Sequence, residues 1–218
     1  KHPQENDARC YWAQTFGQLG QAQELTQDVP GANTSFGQCV AAFAKLAREG
    51  KMASPYFEGV YRYYQLRQSA CAKIDKAVED IDFIPRQPPQ EVALLLEARF
   101  RILAAKRDLE GLLATAKMMD RRPRRAPVSA YLAGAAWSLA SSLTDDAELR
   151  EEYAKNAIER LQRVKAGPNA QFRSIIGQSY AFHFAPDLAP LRDREDFQAL
   201  LEELPAVVEP KIEARNED

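Results

Sequence analysis

Apolar residues recur every three or four positions along most of the chain, and proline and glycine clusters cut that pattern into helix-sized lengths. The first length runs from about Gln4 to Asp28, with Trp12, Phe16, Leu19 and Ala22 at helical spacing. Val29-Pro30-Gly31-Ala32-Asn33 reads as a turn. A second helix follows from about Phe36 to Glu49. Its stripe is Phe36, Val40, Phe43 and Ala47, and Gly50 stands where a left-handed C′ residue belongs.

The third length is the most regular. Ser54 can cap it and Pro55 suits its first helical position. Phe57, Val60, Tyr64, Arg67, Cys71, Ile74, Val78 and Ile81 follow one another at alternating spacings of three and four. That predicts one long helix with a heptad-like seam. The seam can serve a partner or a second copy, or pack against neighbours in the same chain. Pro85-Arg86-Gln87-Pro88-Pro89 is the clearest break. It divides an N-terminal helical half, residues 1–84, from a C-terminal half, residues 85–218, the two expected to pack as one continuous array.

Beyond it the pattern predicts helices at Gln90–Ala105 and Leu109–Asp120, joined by Lys106-Arg107-Asp108. Two helices with so short a link must run back to back. A second hairpin is predicted from Val128–Leu143 and Ala147–Ala166, with Asp145 and Glu148 as a capping-box-like start and Gly167-Pro168 as the stop. The two hairpins are about 37 residues apart, within the range of helical repeats, whose tetratricopeptide class has a period of about 34. A strict tetratricopeptide consensus does not thread onto either hairpin. Alternating Val, Ile and Thr between turn residues is almost absent, so strands have no support. The fold expected is all-α: antiparallel hairpins stacked as a degenerate tetratricopeptide-like superhelix.

The run Asp187-Leu188-Ala189-Pro190-Leu191-Arg192-Asp193-Arg194-Glu195-Asp196-Phe197-Gln198-Ala199-Leu200-Leu201 adds to this. So does the small-residue helix opening Tyr131-Leu132-Ala133-Gly134-Ala135-Ala136-Trp137. Together they resemble the tetratricopeptide-like C-terminal region of large bacterial serine/threonine protein kinases and related repeat proteins. The resemblance covers roughly Val128–Leu204. It departs at Ala136-Trp137, where that family has an alanine-cysteine pair, and in Pro168–Pro186. It implies a repeat scaffold attached to signalling proteins. It does not imply kinase activity, because the glycine-rich loop, the His-Arg-Asp run and the Asp-Phe-Gly run are all missing. The residues agree with an array end: Leu188 and Leu191 can pack under the last hairpin, Phe197, Leu200, Leu201 and Leu204 share a face, and Arg192, Arg194, Glu195 and Asp196 are left for water.

Charge and chemistry narrow the reading further. The 218 residues carry a net charge of −2, no match for nucleic acid or an anionic surface. No apolar run approaches the roughly 20 residues a membrane span needs. The first residue is Lys1, so the chain is expected to be a processed or cut piece from which any targeting segment is gone. Cys10, Cys39 and Cys71 are too few and too widely spaced for a disulfide framework and point to a reducing, cytoplasmic setting, although one disulfide plus a free thiol stays open. Cys39 and Cys71 read as core, Cys10 as exposed. His2 and His183 lack ligand or base partners at a definite spacing. Gly17-Gln18-Leu19-Gly20 follows no strand and reads as a weakened or kinked stretch of helix rather than a nucleotide loop. Arg121-Arg122-Pro123-Arg124-Arg125 is a basic cluster without interleaved aromatics, read as a solvated loop. Asp145-Asp146, Glu151-Glu152 and Glu202-Glu203 read as helix solvation. Tyr56, Phe57, Tyr61, Tyr63 and Tyr64 cannot all share one helix face, so either helices pack on two sides or some line a groove. No catalytic, cofactor-binding or metal residue is predicted, no cofactor is expected, and no binding residue is assigned. The expected function is a non-catalytic protein-interaction or regulatory scaffold with a protein or peptide partner; the alternative is a small-molecule-binding all-α sensor.

Overall fold

A computed structural model describes residues 3–121, 127–166 and 182–204. Every element among them is helical and none is a strand. Among the described residues the α-helices are α1 Pro3–Leu25, α2 Val29–Arg48, α3 Pro55–Cys71, α4 Ile74–Glu79, α5 Pro89–Lys106, α6 Leu109–Asp120, α7 Pro127–Leu143, α8 Ala147–Ala166 and α9 Glu195–Glu202. Short 3-10 turns occupy Ile81–Arg86 and Pro186–Leu191. The chain forms two compact units, residues 1–115 and 116–218, and Pro85–Pro89 lies inside the first.

In the first unit α1 packs on α2, α2 on α3, and α3 and α4 on α5. The residues meant as a turn after the first helix are the opening of α2. Asp28 caps it, accepting from the Gly31 N–H at 2.9 Å, and Pro30 sits in its first turn, where a missing N–H costs nothing. The real turn is Thr26-Gln27-Asp28, with Gln27 left-handed at φ 64°. The Asp28 N–H reaches back to Gln23 O at 2.9 Å, the six-to-one bond of a Schellman ending. Gly50, at φ 63°, ends α2 in the same way, with Lys51 N–H on Leu46 O at 2.9 Å. Arg107, at φ 55°, does so for α5. Ser54 stands at the N-cap of α3 with Pro55 behind it, but its side chain makes no capping bond.

Two expectations about packing faces change. The inward face of α1 is Cys10, Ala13, Gly17 and Gly20, whereas Trp12 and Leu19 are 60% and 50% exposed. Small residues face in because aromatic rings from the neighbouring helices fill the space. A methyl group on Gly17 would run into the ring of Tyr64, and one on Gly20 would come within 2.7 Å of the ring of Phe36. The two glycines are clearance for close helix contact, not a kink. The long seam also breaks, because α3 stops at Cys71 and α4 starts at Ile74. No glycine or proline causes the break. Lys73 instead bonds into Glu91 of α5, as does Ser69 at 2.7 Å, and the Lys73 N–H returns to Ala70 O at 2.9 Å. Downstream, Arg99 donates to the carbonyls of Ala77 (2.7 Å) and Val78, ending α4 after a turn and a half.

In the second unit α7 and α8 form a hairpin joined by Thr144-Asp145-Asp146, and the helices approach closely at Gly134, where a Cβ would meet Leu161 at 2.9 Å. The cap of α8 is Asp146 rather than Asp145: its carboxylate accepts from the N–H groups of Glu148 (2.8 Å) and Leu149 (3.1 Å). The third residue beyond that cap is Leu149, so no capping box forms. Leu188 and Leu191 are fully buried, with the turn that carries them packed on α7, each side chain worth about 1.5–3 kcal/mol. Phe197, Leu200 and Leu201 bury the inner face of α9, which packs on α8. Arg194, expected in water, instead reaches back to Glu151 of α8 at 3.1 Å, and Arg192 is half-buried with its Nη2 on Ala185 O at 3.1 Å.

One regularity links the hairpins. α5 and α7 begin at Pro89 and Pro127, and α6 and α8 at Leu109 and Ala147, an offset of 38 residues in both cases. Burial follows the offset. Leu95, Leu96, Arg99, Phe100 and Leu103 are buried, and so are Ala133, Gly134, Trp137, Ser138 and Ser141. The polar pair Arg99–Thr115 (3.0 Å) stands in the register of the aromatic pair Trp137–Tyr153 (centroids 5.4 Å).

Candidate functional site

The cleft that stands out in the first unit is enclosed by α1, the start of α2, α3, α4 and α5, with a volume of about 230 Å³. It combines an aliphatic floor with a charged wall. Leu25, Val29, Ile74, Leu94, Ala98 and Ile102 supply the floor. Gln21, Glu24, Arg67, Glu97 and Arg101 supply the wall. α1 delivers Gln21 and Glu24 from its last turn or so, and α5 presents Glu97 and Arg101 four residues apart on one face.

The wall consists of two ion pairs. Arg67 binds Glu24 through Nη1 and donates from Nε to the Tyr63 hydroxyl at 2.8 Å. Arg101 binds Glu97 at 3.0 Å. Gln21 ties the wall to α3, donating to Tyr63 at 3.1 Å and accepting from Tyr64 at 3.2 Å. Both partners of the inner pair keep only 15% of their side-chain surface, while Arg101 and Glu97 keep 37% and 23%. Burial pushes the Glu24 carboxyl above the ordinary range despite Arg67, and the nearby charge of Glu97 adds to the rise. Burial also works against the charge of Arg67, but Glu24, Tyr63 and Glu97 together outweigh it and the net shift is upward.

The aromatic cluster divides between core and surface. Phe57 and Tyr64 are buried, Tyr61 is half-buried against Phe43 at 5.8 Å, Tyr63 edges the charged wall, and Tyr56 is 59% exposed. Packing on more than one side of α3 accounts for the buried and half-buried members, and Tyr63 reaches the cleft only through its hydrogen bonds to Arg67 and Gln21. The outer face of α1 forms a separate surface. Trp12 and Phe16 meet edge to face at 4.8 Å, with Leu19 one turn on and Tyr11 beside them, packed edge-on against Phe57 at 5.0 Å.

The other candidates lie elsewhere. Cys10 is fully buried, contrary to its expected exposure, because it belongs to the small-residue face of α1. Cys39 and Cys71 are also buried free thiols, and desolvation pushes them to about 11 and about 12. His183 is half-buried beside Phe184, next to the buried Phe182. Arg121 is exposed; His2, Arg122–Arg125 and Gly167-Pro168 lie outside the described residues. Glu151 pairs with Arg194 and Lys155, whose hydrogen bonds bring its carboxyl down to about 2. Glu202 and Glu203 are exposed at the end of α9. Among the described residues no group of three His, Cys, Asp or Glu side chains could hold a metal, and no helix is long and apolar enough to cross a membrane.

No protein-family model, no curated protein and no solved structure matches the chain.

Proposed function

We propose that the chain is a non-catalytic interaction scaffold of tandem helix hairpins, a regulatory segment of a signalling protein, whose partner is an amphipathic helix of another protein. The observation that carries this reading is the inverted face of α1. Its small residues turn inward, while Trp12 and Leu19 are exposed with the half-buried Phe16 between them, at spacings of four and three. That is the spacing at which one helix reads another. Apolar side chains gathered on one exposed face mark docking surfaces more often than isolated ones do. The 38-residue offset between hairpins supports the finer architecture, a tetratricopeptide-like superhelix, as does the burial of Leu188, Leu191 and Phe197 in the closing run.

The test is selection of displayed helical peptides against the whole chain, followed by titration of the winners. Trp12→Ala and Leu19→Ala should each weaken binding at least about tenfold, or about 1.4 kcal/mol. Both side chains are more than half or half exposed, so the melting temperature should hardly move. Winners that bind both variants as well as the parent would remove α1 as the docking face.

A further inference from the structure

We propose that the cleft between α1, α3 and α5 binds a free aliphatic α-amino acid, with its ammonium between Glu24 and Glu97, its carboxylate on Arg101 and its side chain on the aliphatic floor. The inference does not rest on the scaffold reading, because the outward stripe of α1 takes no part in it.

Charge balance selects the ligand. The wall holds two carboxylates and two guanidiniums, already paired, so it is neutral as a set. A ligand with a single charge leaves one of these groups partly buried without its counter-charge, which is costly. A ligand with one positive and one negative end does not. Its ammonium takes the place of Arg101 on Glu97, and Arg101, the most exposed of the four, swings onto its carboxylate. Every charge then keeps an opposite neighbour.

The position of the ammonium has a second motive. Glu24 and Glu97 line the same wall, near enough for the charge of Glu97 to disfavour that of Glu24, and the half-buried Glu24 is not fully compensated by Arg67. A cation between them relieves both conditions. The floor then selects the side chain. Leu25, Val29, Ile74, Leu94, Ala98 and Ile102 offer no hydrogen-bond partner from their side chains, so an aliphatic group fits and a polar one is left unsatisfied. Size agrees: at about 230 Å³ the cleft falls below the ~300–1,000 Å³ of pockets for larger ligands. The aliphatic floor reaches solvent at Leu25, which is 61% exposed, and this gives the cleft a route in.

The experiment is calorimetric titration of the full chain with leucine, glycine, isoamylamine and 4-methylpentanoate, the last two being leucine without its carboxylate and without its ammonium. Leucine should bind at millimolar concentration or below, and the other three at least about tenfold more weakly. Glu97→Gln and Arg101→Gln should each weaken leucine binding about tenfold or more, with melting temperature as the check on folding. Trp12→Ala should leave it unchanged, which separates this proposal from the helix-docking one. Absence of leucine binding, equal binding of either singly charged analogue, or full binding by folded Glu97→Gln and Arg101→Gln would overturn the proposal. The four-ligand comparison on the parent chain decides the matter even if a variant fails to fold.

Discussion

Arg99 with Thr115 in the first unit and Trp137 with Tyr153 in the second occupy the same register of their hairpins but use opposite chemistry. Arg99 is buried and donates to Thr115 and to the carbonyls of Ala77 and Val78. Burial lowers its affinity for its proton, and Asp108 and Asp80 only partly compensate. Trp137 spends its one donor on Asp120 at 3.2 Å, and Arg160 holds that carboxylate with both Nε (3.0 Å) and Nη2 (2.9 Å). The pairs show that burial can repeat while chemistry diverges. The first hairpin needs a polar core residue because α4 ends against it with unsatisfied carbonyls. In the second the position is aromatic, and its one N–H finds a partner in Asp120.

The largest effect should come from Arg99→Ala. It strands two carbonyls, leaves Thr115 with only its bond to Gly111 O and opens a cavity, at an expected cost of about 3–5 kcal/mol in a urea melt. A loss under about 1 kcal/mol would mean that α4 does not depend on Arg99 for its ending. Gly17→Ala should come next, at about 1–3 kcal/mol, because the added methyl meets the Tyr64 ring and that ring lies in the core. If α1 carried its large residues inward, this substitution would instead stabilise the helix. Trp137→Phe keeps the apolar contact and loses the bond to Asp120. We expect about 1–2 kcal/mol, read by denaturation, and a smaller effect in a background where Asp120 is already Asn. Smallest is Arg107→Gly, expected to stabilise by up to about 1 kcal/mol, since Arg107 is exposed and left-handed.

Acid sharpens the contrast between the units, because two carboxylates move in opposite directions. Glu151, held down to about 2, supports the folded form above its ordinary value near 4.5, and that support fades as pH falls from about 5 toward 2. Glu24, pushed up, does the reverse: its contribution is best at low pH and is lost as pH rises through its raised value. Amide exchange followed from pH 6 to 4 should therefore show α9 loosening while the C-terminal turn of α1 tightens. The same direction in both places would contradict the assignment.

Much of the helical layout was legible in the sequence. The bounds of α6 and α8 were read to the residue, and those of α5 and α7 within one residue, because proline and short polar turns mark them. What failed did so for identifiable reasons. The spacing of Trp12, Phe16, Leu19 and Ala22 marks α1 as a helix but not its inward face, because the face that packs is made of small residues, Cys10, Ala13, Gly17 and Gly20. The start of α2 was mistaken for a turn because Pro-Gly was read as a stop, where proline equally well begins a helix. The α3–α4 break carries no local signal at all; it is set by Glu91 and Arg99, both distant in sequence. The charged cleft was invisible for the same reason. Only Glu97 and Arg101 stand four apart, whereas Glu24 and Arg67 meet across 43 positions.

Cys10, Cys39 and Cys71 give the molecule a built-in reporter. One thiol sits in each of α1, α2 and α3, all three are enclosed, and desolvation holds Cys39 and Cys71 in the unreactive protonated form. An alkylating reagent can therefore reach them only when the helices part. The rate at which each is labelled in an otherwise native solution measures how often that helix opens, so the first unit can be followed helix by helix without adding a probe.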